Sequence, residues 1–255
     1  MSTESSSNAE LEALCGERAD NFLEQRRFSP AHFLLLARIY RRLLRTRIVP
    51  LRIDDNHESR HIRGPLDRRT LGLRTPLHSA ASILRIPRGD DPLAGSQFST
   101  LRRQDRKATK AGVTCRFVTS PREREALLQM AIDFEKSHPD IRYRREFPRT
   151  HDLPEIALWM VAVSADGTPL AISVNPISRN VALLRYLKTI SGHPDTRLAR
   201  YALIAELMRV LSRRWVRYLV DNVSPISVPS ALREFAKMTG FRIARVSLRS
   251  TSLAD

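Results

Sequence analysis

Residues 96–250 predict a mixed α/β fold, a mainly antiparallel sheet flanked by helices, and three observations carry that prediction. Segments of helical and strand periodicity alternate along the stretch. An Asp166-Gly167 pair separates two apolar runs, Ile156 to Ser164 and Pro169 to Pro176, which is the signature of a tight hairpin. A third run, Val181 to Thr189, follows the Ser178-Arg179-Asn180 turn. The result is a meander of three antiparallel strands between helical segments, which fits neither a doubly wound parallel sheet nor a barrel.

The elements follow in order. Met1 to about Asn8 is Ser-rich and polar, with the composition of a disordered end. Leu11 to Arg26 has helical character. A stronger helix opens at Ser29-Pro30, a cap and first-turn pair, with Phe33, Leu34, Ala37, Tyr40 and Leu44 as its apolar face and Arg38, Arg41, Arg42 and Arg45 opposite. Ile48 to Ile53 reads as a strand, Asp54 to Pro65 as a polar loop, and Arg69 to Leu73 and Ser82 to Ile86 as short strands. Pro87 to Pro92 is a linker.

Ser96 to Ala111 forms a helix stopped by Gly112, with Lys107 and Lys110 in the last turn, where the helix dipole favours cations. Val113 to Val118 is a strand. Ser120 with Glu123 makes a capping box for a helix whose inward residues are Leu127, Leu128, Ala131 and Phe134 and which ends before His138-Pro139. After the meander, Asp195 or Thr196 caps a long helix to about Arg213. Val216 to Val220 is a strand, Pro229 to Met238 a helix ended by Gly240, and Phe241 to Leu248 the last strand.

The chain has 255 residues and a formal charge of +16, with 42% hydrophobic residues, enough for a packed core. Residues 1–25 carry six carboxylates against Arg18, so the excess positive charge belongs to the rest of the chain, and a polyanionic partner is expected. Of the 43 cations only Lys107, Lys110, Lys136, Lys188 and Lys237 are lysines. Apolar stretches such as Phe33 to Ala37 are far shorter than the ~20 residues of a membrane span, and no signal peptide is legible, so a cytoplasmic monomer is expected. Cys15 and Cys115 form no Cys-x-x-Cys pair. The His57-Glu58-Ser59-Arg60-His61 run matches the zinc-binding His-Glu-x-x-His pattern, yet the polar residues around it deny it a cleft, and no metal is assigned.

The element order, the hairpin and the ending Phe235-Ala-Lys-Met-Thr-Gly-Phe-Arg242 resemble the GNAT acyltransferase superfamily over residues 96–250. In that superfamily a glycine-rich loop at the start of the long helix holds the pyrophosphate of acetyl-CoA; here Arg197 to Ala202 has no glycine. A narrower resemblance is to the Fem-type transferases. Ser99 to Val113 (STLRRQDRKATKAGV) is similar to the basic helix that opens their second lobe, and Arg185 to Lys188 with Leu198 to Leu203 is similar to a strand and helix of theirs. The resemblance implies a GNAT-like domain over 93–255, a reduced N-terminal lobe over 26–92 and an acidic, partly disordered tail over 1–25. It also implies transfer of an amino acid from aminoacyl-tRNA to the amine of a peptide or peptidoglycan-type acceptor. Aminoacyl-tRNA is then the co-substrate and no cofactor is needed; acetyl-CoA is the co-substrate in the alternative of an acyl-CoA-dependent N-acyltransferase. A third reading is an RNA-binding protein without enzymatic activity.

An aminoacyl ester is already activated, so its aminolysis needs a placed amine and a fixed cation or N–H donor for the developing oxyanion. By the resemblance Lys237 is the catalytic candidate for that cation; its alternative is a solvated lysine at a helix end. Phe235 and Phe241 would line the pocket or fill the core, and Tyr201 would hydrogen-bond substrate or pack. Arg185 and Lys188 suit an acceptor carboxylate or phosphate. Asn222 suits the acceptor backbone. Arg102, Arg103, Arg106, Lys107 and Lys110 form the expected tRNA-binding face.

Overall fold

The computed structural model describes residues 8–18, 30–67, 75–141, 143–225 and 230–250. The readings of residues 1–7 as disordered, of 19–26 as helix and of Arg69 to Leu73 as a strand lie outside the described residues. In chain order the elements begin with helix α1 (8–18), α2 (Pro30–Arg45), strand β1 (Ile48–Ile53), α3 (His57–Leu66), the single turn α4 (Pro76–Ser79) and β2 (Ala80–Arg85). There follow α5 (Ser99–Lys110), β3 (Thr114–Phe117), α6 (Pro121–Ser137), β4 (Leu158–Val163), β5 (Pro169–Asn175), β6 (Ile177–Ser178), β7 (Val181–Leu184) and β8 (Tyr186–Thr189). The chain closes with α7 (Thr196–Arg213), β9 (Tyr218–Asp221), α8 (Ser230–Thr239) and β10 (Arg242–Ser250). The protein is of the mixed α/β class, with mainly antiparallel sheets flanked by helices.

The chain folds as two compact units that interleave in sequence. The first comprises residues 1–85, 178–181 and 218–255, the second residues 86–177 and 182–217. The stretch from 218 onward therefore packs with the N-terminal residues, whereas the sequence reading drew a contiguous boundary at residue 92. Its reason is strand pairing. β10 runs parallel to β1, with Leu51 opposite Leu248, and antiparallel to β2, which pairs in turn with β9.

In the first unit α1 and α2 cover that sheet. Leu11, Leu14 and Cys15 of α1 join Leu35, Ile39 and Leu43 of α2, with Ala80 and Ile243, in one buried cluster. Residues 8–18 form an anchored helix, in line with the helical character read from Leu11 onward. The expectation for the next helix fails. On α2 the buried stripe is Leu35, Ile39 and Leu43, whereas Phe33, Leu34, Ala37, Tyr40 and Leu44 face outward. The segment Asp54 to Pro65 is not a loop either. Asn56 caps α3 by accepting the Ser59 backbone N–H at 2.9 Å, and Ser59, Ile62 and Leu66 recur at helical spacing on its buried side.

In the second unit β3, β4, β5 and β8 form an antiparallel sheet, with the turn after β4 closed by the Gly167 N–H to the Ser164 carbonyl at 3.0 Å. One face, with Trp159, Val161, Ile172 and Val174, packs with Leu127 and Ala131 of α6. Helix α7 crosses β4 and β5, and α5 lies against α7. Burial on both faces explains why β4 and β5 are continuous apolar runs. The third strand is broken into β7 and β8 at Arg185, whose backbone N–H turns back to the Leu183 carbonyl at 2.9 Å.

Candidate active site

A cavity of about 400 Å³ opens in the first unit between α1 and α8, floored by residues of β2 and β10. The C-terminus of α8 sets its shape. Gly240 takes a left-handed φ of +95°, its N–H bonds the Lys237 carbonyl at 3.1 Å, and the Phe241 N–H reaches back to the Ala236 carbonyl at 2.9 Å. This paired-bond stop places Lys237 and Phe241 on the cavity wall, Lys237 exposed and Phe241 nearly buried. On the facing helix Gly16 admits the Arg233 guanidinium, since a Cβ there would lie 3.2 Å from its Nη2.

Lys237 and Phe241 thus line one cavity, and Glu12, Arg233 and Arg242 join them. Burial raises the Glu12 carboxyl above its ordinary range, and the nearby Arg242 and Lys237 charges only partly counter this. A carboxylate with raised proton affinity and a lysine ammonium therefore share one cavity. That pairing suits an acyl transfer to an amine, in which one group accepts a proton and another faces a developing oxyanion. Glu12 was not singled out because only the placement of α1 beside α8, more than two hundred residues away in sequence, brings it to this cavity. Of the remaining candidates in this unit, Phe235 is half-buried on α8 and Asn222 is half-buried in the turn after β9, where the Val223 N–H bonds Asp221 Oδ1 at 3.1 Å.

In the second unit Arg185 and Lys188 each meet a carboxylate of the same unit. Arg185 holds Asp152 in a two-pronged pair, Nε to Oδ2 at 2.8 Å and Nη2 to Oδ1 at 2.6 Å, and also donates to the Arg149 carbonyl at 3.2 Å. Burial pushes the Asp152 carboxyl up, but the Arg185 hydrogen bond and charge outweigh it, leaving it below the usual carboxylate range. Lys188 pairs with Glu135, which also accepts the Tyr186 O–H at 2.9 Å. Glu135 is only 5% exposed, so this triad closes a buried charge. Tyr201 sits in the core, 2% exposed, on a face of α7 that packs rather than opens.

The five cations of α5 divide by role. Arg103, Arg106, Lys107 and Lys110 are exposed and recur at spacings of three and four, so they share one face. Arg102 instead donates to the Leu93 and Gly95 carbonyls and tethers the preceding loop to the helix. Asp105 pairs with Arg209 of α7, which also bonds Glu206 at 3.1 Å, and so α5 is fixed against α7. At its own start α7 carries Asp195 in the capping position, with Thr196 Oγ1 donating to the His193 carbonyl at 2.8 Å. A carboxylate stands where the helix N-terminus would otherwise favour phosphate.

Two motifs left aside by this site are also placed. His57 and His61 stand one turn apart on α3 with ring centroids 5.0 Å apart, edge to face. Burial pushes both the Cys15 and the Cys115 thiols up to about 12, which makes them poor nucleophiles at neutral pH.

The sequence profile of the acetyltransferase (GNAT) domain family matches residues 95–221. Among curated proteins none matches the chain. Two solved structures are similar to part of the chain. FemX is 14% identical with a TM-score of 0.49, and the match covers 66% of this chain and 60% of FemX. L-PGS from Bacillus licheniformis is 15% identical with a TM-score of 0.48, covering 66% of this chain and 60% of that one. The chain thus spans about three fifths of the length of either. No helix among the described residues is long and apolar enough to cross a membrane. Residues 95–221, just under half of the chain, are thus similar to the acetyltransferase (GNAT) domain family.

Proposed function

We propose that the protein is an aminoacyltransferase that moves an amino acid from aminoacyl-tRNA to the amine of a peptide or peptidoglycan-type acceptor. The observation that carries this reading is the exposed face of α5, where Arg103, Arg106, Lys107 and Lys110 present four cations in register for a phosphate backbone. The start of α7 supports it from the other side. With no glycine in Arg197 to Ala202 and Asp195 at the cap, this helix end is a poor cradle for the pyrophosphate of acyl-CoA.

In this reading the acceptor enters the cavity between α1 and α8 as an ammonium. Glu12 takes its proton, the freed amine attacks the carbonyl carbon of the aminoacyl ester, and the oxyanion forms against Lys237. Collapse breaks the ester C–O bond, and the ribose hydroxyl of the tRNA leaves with a proton. One new amide bond replaces one ester bond, and no oxidant, nucleotide or metal takes part in that balance. Label transfer from bulk charged tRNA to a lysine-containing peptide, run with and without RNase and beside labelled acetyl-CoA, tests the reading. Loss of product on RNase treatment supports it; product that needs only acetyl-CoA overturns it in favour of an acyl-CoA-dependent N-acyltransferase.

A further inference from the structure

Helix α2 carries two apolar stripes, and only one of them is buried. Leu35, Ile39 and Leu43 anchor it to the first unit's core. Phe33, Tyr40 and Leu44 lie on the opposite side with 63%, 39% and 52% of their surface exposed, together with the exposed Ala37; Leu34 is 69% exposed. At 100° per residue the first four span one narrow outward strip.

Beside this strip runs a row of cations. Arg38, Arg41 and Arg45 are exposed, and Arg42 is held by Glu10 of α1. The four arginines line, with Glu10 and Leu14, a cleft of about 220 Å³. An anchored helix thus offers solvent a row of apolar residues and, next to it, a concave row of guanidinium groups. These two rows discriminate among partners. An RNA backbone would engage the arginines but gain nothing from exposed leucine, phenylalanine and tyrosine. A second copy of the chain would cover the apolar strip but bring a like-charged arginine row into the same contact. A membrane surface rich in anionic lipid satisfies both rows, with phosphates at the cleft and the apolar strip at the acyl boundary.

We infer that the outer face of α2 is a docking surface for anionic lipid bilayers, on which the helix lies in the plane of the headgroups. The inference stands apart from the transfer reading, since it rests on α2 and the cleft it forms with Glu10 and Leu14 of α1.

Flotation of the full chain with vesicles of phosphatidylcholine alone, or of equal parts phosphatidylcholine and phosphatidylglycerol, tests it. The wild-type protein is expected to float with the phosphatidylglycerol vesicles and to remain below with the neutral ones. Replacing both exposed leucines (L34S with L44S) should lower partitioning at least tenfold, because each loses the apolar insertion. Replacing the arginine row (R38Q, R41Q and R45Q together) should lower it about a hundredfold and flatten its salt dependence. Near-ultraviolet circular dichroism checks that these exposed substitutions leave the fold intact. The inference is overturned if the wild-type protein fails to float with the anionic vesicles, or if L34S with L44S floats as the wild type does. It is equally overturned if the leucine variant instead converts an oligomer to a monomer by size-exclusion chromatography, which would assign the strip to self-association.

Discussion

Replacing Arg103, Arg106, Lys107 and Lys110 together with glutamine removes the exposed charge of α5 while keeping residues of good helix propensity. Leu101 and Ala108, the buried residues of that helix, are untouched, and Asp105 keeps its pair with Arg209, so α5 should stay in place. The structure sets the size of the effect. With four exposed cations and one phosphate each, log affinity falls with log salt by ~0.7–0.9 per contact, so the four together contribute a slope of about 3. Between 50 and 200 mM salt this amounts to roughly a 50- to 150-fold loss of tRNA affinity that the wild-type protein should show and the variant should largely lack. Arg102 supplies a control within the same helix. Because its guanidinium bonds the Leu93 and Gly95 carbonyls, Arg102→Gln should weaken the fold around that loop and leave the salt slope nearly unchanged. Fluorescence anisotropy with deacylated tRNA at five or six salt concentrations reads both. A quadruple variant with the wild-type slope would refute the assignment of α5 to phosphate contact.

Three further outcomes follow from the geometry. Lys237→Ala should lower turnover about 100-fold or more with tRNA affinity unchanged, as expected of a cation that faces only the developing oxyanion; equal turnover in a stopped assay removes it from the chemistry. Arg185→Met should cost about 2 kcal/mol at pH 7, since it removes the two-pronged guanidinium partner of the mostly buried Asp152 carboxylate. The Asp152 carboxyl is held below its unfolded range, so the pair stabilises above the ordinary Asp pKa of ~4 and its contribution fades as pH falls further. Urea titrations at pH 7 and pH 3 should therefore show the wild-type advantage shrinking at pH 3, and an equal cost at both values contradicts the pairing. Gly112→Ala should lose about 2–4 kcal/mol, because φ is +78° and the new Cβ would lie 2.7 Å from the Ala165 Cβ. Ala165→Gly should restore the steric part and not the backbone part, and full recovery would show that the left-handed conformation costs nothing.

Much of this fold was legible because its signals are local. The Asp166-Gly167 hairpin, the Ser120 cap and the Gly112 and Gly240 helix stops each depend on a few neighbouring residues, and each falls where the sequence put it. Strand β1 coincides with its predicted span for the same reason. What was not legible depends on contacts distant in sequence. Helix α2 has apolar residues at helical spacing on two sides, and only packing with Leu11, Leu14 and Cys15 decides that Leu35, Ile39 and Leu43 turn inward. Pairing of β10 with β1, nearly two hundred residues apart, draws the chain end into the first unit. The site divided along the same line. Lys237 and Phe241 were singled out through the resemblance carried by the short segment around Gly240. Glu12 needed α1 folded against α8, and the carboxylate partners of Arg185 and Lys188, Asp152 and Glu135, lie on other elements.

The central claim is that the acyl donor is an aminoacyl-tRNA ester and that the cavity beside Lys237 serves its transfer. Hydroxylamine, an amine already uncharged at neutral pH, tests it without knowledge of the natural acceptor. Purified protein is mixed with bulk tRNA charged with labelled amino acids, and aminoacyl hydroxamate is followed above the uncatalysed background. Wild-type protein is predicted to raise the rate, Lys237→Ala to abolish the rise and Glu12→Gln to leave it largely intact, because no acceptor proton has to be removed. No rise with the wild-type protein, together with hydroxamate formed from acetyl-CoA, would contradict the claim.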